Sequence, residues 1–178
     1  MNVLASPPGR RASMLAEGLR DPLQANTPIV AAVDASPASR AVIDSAVRLA
    51  ADLAAPLVFV YVRRGPAGFL GSPVYQRRLT KALGRASRVL DRALRAAAQA
   101  GVDAEGEILE GSPRKRILEF ARARQARLII IGSRGRKLGR SVSRAVARSA
   151  NGPNVLVAPA VLDEGSRPTL DSLERVPV

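Results

Sequence analysis

The sequence predicts a single doubly wound α/β domain, and three observations predict it. Short aliphatic runs recur along the chain, a helical pattern follows each of the first four, and the handovers from strand to helix carry Gly, Ser or Pro. Strands alternating with helices imply parallel pairing through right-handed crossovers. With 178 residues the chain is long enough for one core, since a domain of about 150 residues buries roughly two-thirds of its unfolded surface. Hydrophobic residues make up 47% and aromatics only 3%, with no Trp, so that core must be aliphatic.

In order, Ile29 to Val33 reads as a strand buried on both faces, ending at Asp34. A helix follows, with Ser36 as N-cap, Pro37 at the first helical position, and Ile43, Ala46, Val47 and Ala50 on one face. Leu57 to Val62 is the second strand, rich in β-branched residues. A loop with Gly65, Gly68 and Gly71 leads to a long amphipathic helix that turns Leu79, Leu83, Ala86, Leu90, Ala93, Leu94 and Ala97 inward and closes at Gly101. Ala104 to Leu109 is a weaker strand, whose Glu105 and Glu107 suit a sheet edge protected by charge. Ser112 and Pro113 start the next helix, with Ile117, Phe120 and Ala121 inward. Leu128 to Ile131 is the most apolar strand; a Gly- and Arg-rich loop, a helix holding Val142, Ala145 and Val146, and a last strand from Val155 to Ala158 complete the domain. Residues 1–27, with Pro7, Pro8, Gly9 and Pro22, predict a flexible arm with one short helical turn near Ala12 to Leu19. Residues 28–161 form the domain and residues 162–178 a polar tail.

The chain has neither Cys nor His. Disulfides, Cys or His metal ligation, and Ser-His or Cys-His nucleophile pairs are therefore closed, while a hard cation such as Mg²⁺ needs only oxygen ligands. A net charge of +13 favours phosphates, nucleic acids and acidic surfaces as partners. No apolar run approaches the roughly 20 residues that span a bilayer, and no apolar stretch follows Arg10 and Arg11, so neither a membrane partner nor an export signal is expected; the predicted location is the cytoplasm.

Two loops at strand carboxyl ends carry the candidate chemistry, because ligands of such sheets collect where strand order switches. After the first strand stand Asp34, Ala35 and Ser36; after the fourth stand Gly132, Ser133, Arg134 and Gly135, then Arg140, Ser141, Val142 and Ser143. Glycines let backbone approach a phosphate, amides and hydroxyls at a helix start meet its charge, and Arg134, Arg136, Lys137 and Arg140 add cationic donors. The other reading of the glycines is a sterically required turn. The spacing matches neither a Walker loop nor a Gly-x-Gly-x-x-Gly fingerprint. Asp34 suits a ligand base or ribose, or equally an end-of-strand cap. Arg77, Arg78, Lys81, Arg85, Arg88, Arg92 and Arg95 line the long helix, as a nucleic-acid stripe or a solvated face; the lack of interleaved exposed aromatics favours the solvated face, since single-strand binders stack bases on rings.

Taken together, Val30 to Ser36, the Gly111, Ser112, Pro113 turn with Ile117, the run Leu128 to Gly135, Ser141, Val142 and Ser143 with Val146, and the closing Val155, Leu156 and Val157 resemble the universal stress protein family. The resemblance covers roughly Pro28 to Pro159. It implies a five-stranded sheet in order 3-2-1-4-5, a homodimer paired through the fifth strand, and, in one branch, bound ATP or another adenine nucleotide, with Mg²⁺ if a triphosphate. On that branch the adenine pocket draws on Ala32, Val33, Asp34, Val62 and Ile131, and phosphate and ribose fall to Gly132, Arg134, Gly135, Ser141, Val142 and Ser143. The family pattern places nine residues between the second glycine and a Gly-Ser or Gly-Thr pair. Here only Arg136, Lys137, Leu138 and Gly139 precede Arg140 and Ser141, so Arg140 either obstructs phosphate or replaces lost amide contacts by charge. Arg127 stands where many members carry an acid.

The leading expectation is a nucleotide-binding stress-response sensor or regulator, with slow or no hydrolysis because no general base beyond Asp34 is positioned. The alternatives are a dimeric regulator that acts by protein contacts with its site empty, and a basic module that binds nucleic acid or an acidic partner.

Overall fold

The computed structural model describes residues 26–65, 72–132 and 154–158. Five strands, β1 (Ile29–Val33), β2 (Leu57–Arg63), β3 (Ala104–Glu110), β4 (Leu128–Gly132) and β5 (Asn154–Ala158), form one parallel sheet in the order β3-β2-β1-β4-β5. Three helices are described: α1 (Ala38–Asp52), α2 (Pro73–Gln99) and α3 (Pro113–Ala123). The helical turn expected near Ala12 to Leu19 and the helix expected around Val142, Ala145 and Val146 lie outside the described residues. No helix among the described residues is long and apolar enough to cross a membrane.

The pleat divides the aliphatic runs between two packed layers. Ile29, Ala31, Phe59 and Ile130 point toward α1 and α2, where Val42, Ala46, Leu90 and Ala93 meet them. Val30, Val58, Val60, Ile129 and Ile131 point the other way, against Ile117, Leu118 and Ala121 of α3. This is why β1 and β4 read as unbroken apolar runs rather than alternating ones.

The termini of α2 follow from local chemistry. Ser72 accepts a hydrogen bond from the Tyr75 amide at 3.1 Å with Pro73 at the first turn. At the far end Gly101 takes φ +68°, a left-handed conformation that glycine adopts without Cβ strain, and the Val102 amide turns back to Ala97 O at 3.0 Å. The inward face differs from the periodic reading at one residue: Leu83 is 39% exposed, and Val89 is buried in its place nearer the middle of the helix. Phe120 packs half-buried against the core on this side of the sheet, its ring centroid lying 5.2 Å from the Arg124 guanidinium carbon.

Strand β3 stands at the edge, as its charge pattern predicts. Glu105 and Glu107 are held by Arg124 at 2.8 and 3.6 Å, and Glu110 pairs with Arg63, its register partner on β2. At the amino end of β4, Arg127 is buried at 5% exposure. Its amide donates to Pro28 O at 3.1 Å and its Nε to Thr27 O at 2.9 Å, joining the residue ahead of β4 to those ahead of β1. Burial lowers the guanidinium from its ordinary value.

Candidate functional site

The strand order reverses direction between β1 and β4, and at their carboxyl ends the structure has a cavity of about 110 Å³. Its apolar wall follows from register: Ala32 sits between Val60 and Ile131, which are its partners on β2 and β4, and Val62 continues the row two residues along. Pro113 and Ile117 of α3 close one side, and Ala38 and Val42 of α1 line another.

The polar edge is the turn from β1 into α1. Asp34 Oδ1 accepts hydrogen bonds from the Ser36 amide at 2.9 Å, the Ser39 hydroxyl at 2.9 Å and the Ser36 hydroxyl. The Asp34 amide donates in return to Ser39 Oγ at 2.7 Å. An Asp side chain bonding the amide two residues on is the usual Asx turn, and here two hydroxyls reinforce it. The carboxylate also sits beside the amino end of α1, where the helix dipole favours negative charge. Both serine hydroxyls thus donate to Asp34 and fix its carboxylate at the edge of the cavity.

This arrangement corrects the reading of Ser36 as the helix N-cap. The helix begins at Ala38 with Pro37 in the cap position and no side-chain cap bond; Ser36 supplies its carbonyl to the Ser39 amide at 3.1 Å, while its hydroxyl goes to Asp34. Donation to the carboxylate, a charge-assisted bond, orients the hydroxyl toward Asp34.

Gly132 ends β4 close against α1. A Cβ there would lie 3.1 Å from Val42 Cγ2 and 3.4 Å from Ala38 Cβ, so the missing side chain lets the first turns of α1 pack beside the cavity.

Of the sequence-predicted site residues, Ala32, Val33, Asp34, Val62, Ile131 and Gly132 all line this one cavity. Arg134, Gly135, Arg140, Ser141, Val142 and Ser143 lie outside the described residues. Sequence reasoning missed Ser39, Val42, Val60, Pro113 and Ile117 as cavity residues. Val60 was within reach of it, because in-register pairing of the two aliphatic runs sets it beside Ala32; Ser39 carried only the weak signal of a second hydroxyl near an Asp turn. No group of three or more acidic, His or Cys residues that could hold a metal occurs among the described residues.

A doubly wound parallel sheet with its cavity at the switch between β1 and β4 defines the class: an α/β protein with a cavity at the strand carboxyl ends. The universal stress protein family model matches residues 25–159, and the chain belongs to that family. Among solved structures it is similar to a universal stress protein family member from Burkholderia pseudomallei, with 33% identity over 75% of this chain and 96% of that one at a TM-score of 0.59. UspA from Lactobacillus plantarum shares 26% identity over 74% of this chain and 97% of its own, at a TM-score of 0.65. The universal stress protein from Archaeoglobus fulgidus, solved in complex with dAMP, shares 27% identity over 74% and 97% at a TM-score of 0.59. No curated protein matches the sequence.

Proposed function

We propose that the protein binds an adenine nucleotide in the cavity at the carboxyl ends of β1 and β4 and acts as a nucleotide-responsive regulator in the stress response. The observation that carries this reading is the pairing of a fixed acceptor with an apolar slot. Hydrogen bonds from Ser36 and Ser39 hold Asp34 at the rim of a wall made by Ala32, Val60, Val62 and Ile131. A flat heteroaromatic base suits such a wall, and a carboxylate accepts from an exocyclic amine or a ribose hydroxyl. The dAMP complex of the Archaeoglobus fulgidus relative supports the ligand class. The described polar groups position rather than react, so the reading is of binding with slow or no hydrolysis.

Titration calorimetry with ATP, AMP and cyclic AMP on protein freed of ligand tests it. Saturable binding of at least one nucleotide is expected, with Asp34→Ala weakening it about tenfold or more through loss of a charged hydrogen bond. No binding of any of the three overturns it. The reading extends to a homodimer through β5, which stands at the edge of the sheet with Val155 and Val157 half-buried. Sedimentation of the purified chain checks that part separately.

A further inference from the structure

The outer face of α2 distributes its charge unlike any other described surface. Arg77, Lys81, Arg85, Arg88, Arg92 and Arg95 are all exposed, and at 3.6 residues per turn they fall within an arc of about 80°, opposite the buried Ala86, Ala93 and Ala97. The row runs for about 27 Å along the helix. None of the six forms an ion pair with a described residue. The one acid on the helix, Asp91, has a 3.5 Å contact with the Ser87 hydroxyl.

A merely solvated helix face is expected to mix signs at spacings of three and four, because like charges there repel. Here Arg77 and Lys81, Lys81 and Arg85, and Arg88 and Arg92 are like charges four apart, and Arg85 and Arg88, and Arg92 and Arg95, are like charges three apart, against two opposite-sign spacings, Arg88 with Asp91 and Asp91 with Arg95. The contrast with α3 is direct. Its Lys115 and Arg116 both reach Glu119, at 3.8 and 3.0 Å, and Arg124 just beyond it is neutralised by Glu105 and Glu107.

We propose that the α2 row is a docking surface for the phosphate backbone of double-stranded nucleic acid. A straight row of about 27 Å spans roughly eight base pairs at 3.4 Å per step along one strand. Between Arg77 and Arg95 the arc holds no aromatic residue on which unstacked bases could lie, which disfavours a single strand. It also holds no large apolar side chain to anchor a protein partner, which disfavours an acidic polypeptide. Such binding reads backbone and not sequence. It is independent of the nucleotide cavity, which α2 does not line.

The test is fluorescence anisotropy of a labelled mixed-sequence 20-base-pair duplex with the full-length protein at several NaCl concentrations between about 50 and 200 mM. Binding is expected to weaken steeply with salt. The variant R85Q/R88Q/R92Q should lose about tenfold or more in affinity and flatten the log–log salt slope by about two to three. The charge-matched K115Q/R116Q/R122Q should stay within about twofold of the parent. Protection from acetylation, read by mass spectrometry on the unaltered protein, should favour Lys81 over Lys115 when duplex is present. The proposal is overturned by absence of binding at 50 mM salt, by equal loss in the two triple variants, by no selective protection of Lys81, or by equal affinity for a single strand or for poly-glutamate.

Discussion

The amino end of β4 and the carboxyl end of neighbouring β1 each hold a charged side chain drawn in from solvent, and they spend it differently. Arg127 is buried, and its Nε donates to a main-chain carbonyl one hundred residues away, so that its charge ties together the starts of two adjacent strands. Asp34 is fixed from its own turn by two serines and an amide, and the space in front of it is a cavity. A buried charge is costly unless its hydrogen bonds are met. At one end the hydrogen bonds reach across the chain and join two strands; at the other, those from Ser36 and Ser39 come from two and five residues away, at the edge of a cavity.

The largest effect should come from the closed end. Arg127→Ala removes a charged hydrogen bond and opens a void, an expected loss of about 2–3 kcal/mol in urea unfolding. Nucleotide affinity of the folded protein should not change, and a fall in affinity would show that the two ends are coupled. Burial lowers the Arg127 pKa, so the folded state carries a desolvation cost that is relieved only as pH rises through that lowered value. The ordinary value lies so far above neutrality that the loss should be the same at about pH 6 and pH 8.

Gly132→Ala should cost about 1–2 kcal/mol, because its Cβ would press on Val42 and Ala38. The added Val42→Ala change should recover part of that loss, since the two sites share one contact. A double-mutant cycle by denaturant unfolding measures this. Additive effects would mean that the close approach of β4 to α1 is not what the glycine serves. Because Ala38 and Val42 also line the cavity, Gly132→Ala alone should weaken nucleotide binding, unlike Arg127→Ala.

The same contrast explains what the sequence made legible. The two buried layers were readable because β1, β2 and β4 carry apolar runs too long for one face, the edge position of β3 was written in Glu105 and Glu107, and the full strand order came from the resemblance to the universal stress protein family. Half of the cavity followed too, since Ala32, Asp34 and Gly132 sit where any strand of this kind delivers its carboxyl end. What escaped depends on direction rather than residue type. Ser36 is as good an N-cap by composition as any serine, and only the position of Asp34 turns its hydroxyl away from the helix. Arg127 gave no sign of burial in a chain with 28 basic residues, because only three-dimensional pairing separates a spent arginine from a free one.

The smallest effect isolates the open end. Ser39→Ala removes both the acceptor for the Asp34 amide and one of the donors to Asp34 Oδ1, at 2.7 and 2.9 Å. Ser39 is itself buried, so no bulk water replaces the lost hydroxyl directly. The stability loss should still be only about 1 kcal/mol, because Ser36 keeps its amide and hydroxyl on the carboxylate. Binding should suffer more than folding, since the carboxylate would keep its charge and lose its fixed orientation, and a hydrogen bond to a ligand depends on angle as much as distance. Calorimetry beside thermal unfolding separates the two. Ser39→Ala with unfolding shifted by a few degrees and nucleotide affinity down several-fold would place the hydroxyl in orienting Asp34, whereas unchanged affinity would mean that the carboxylate keeps its working position without Ser39.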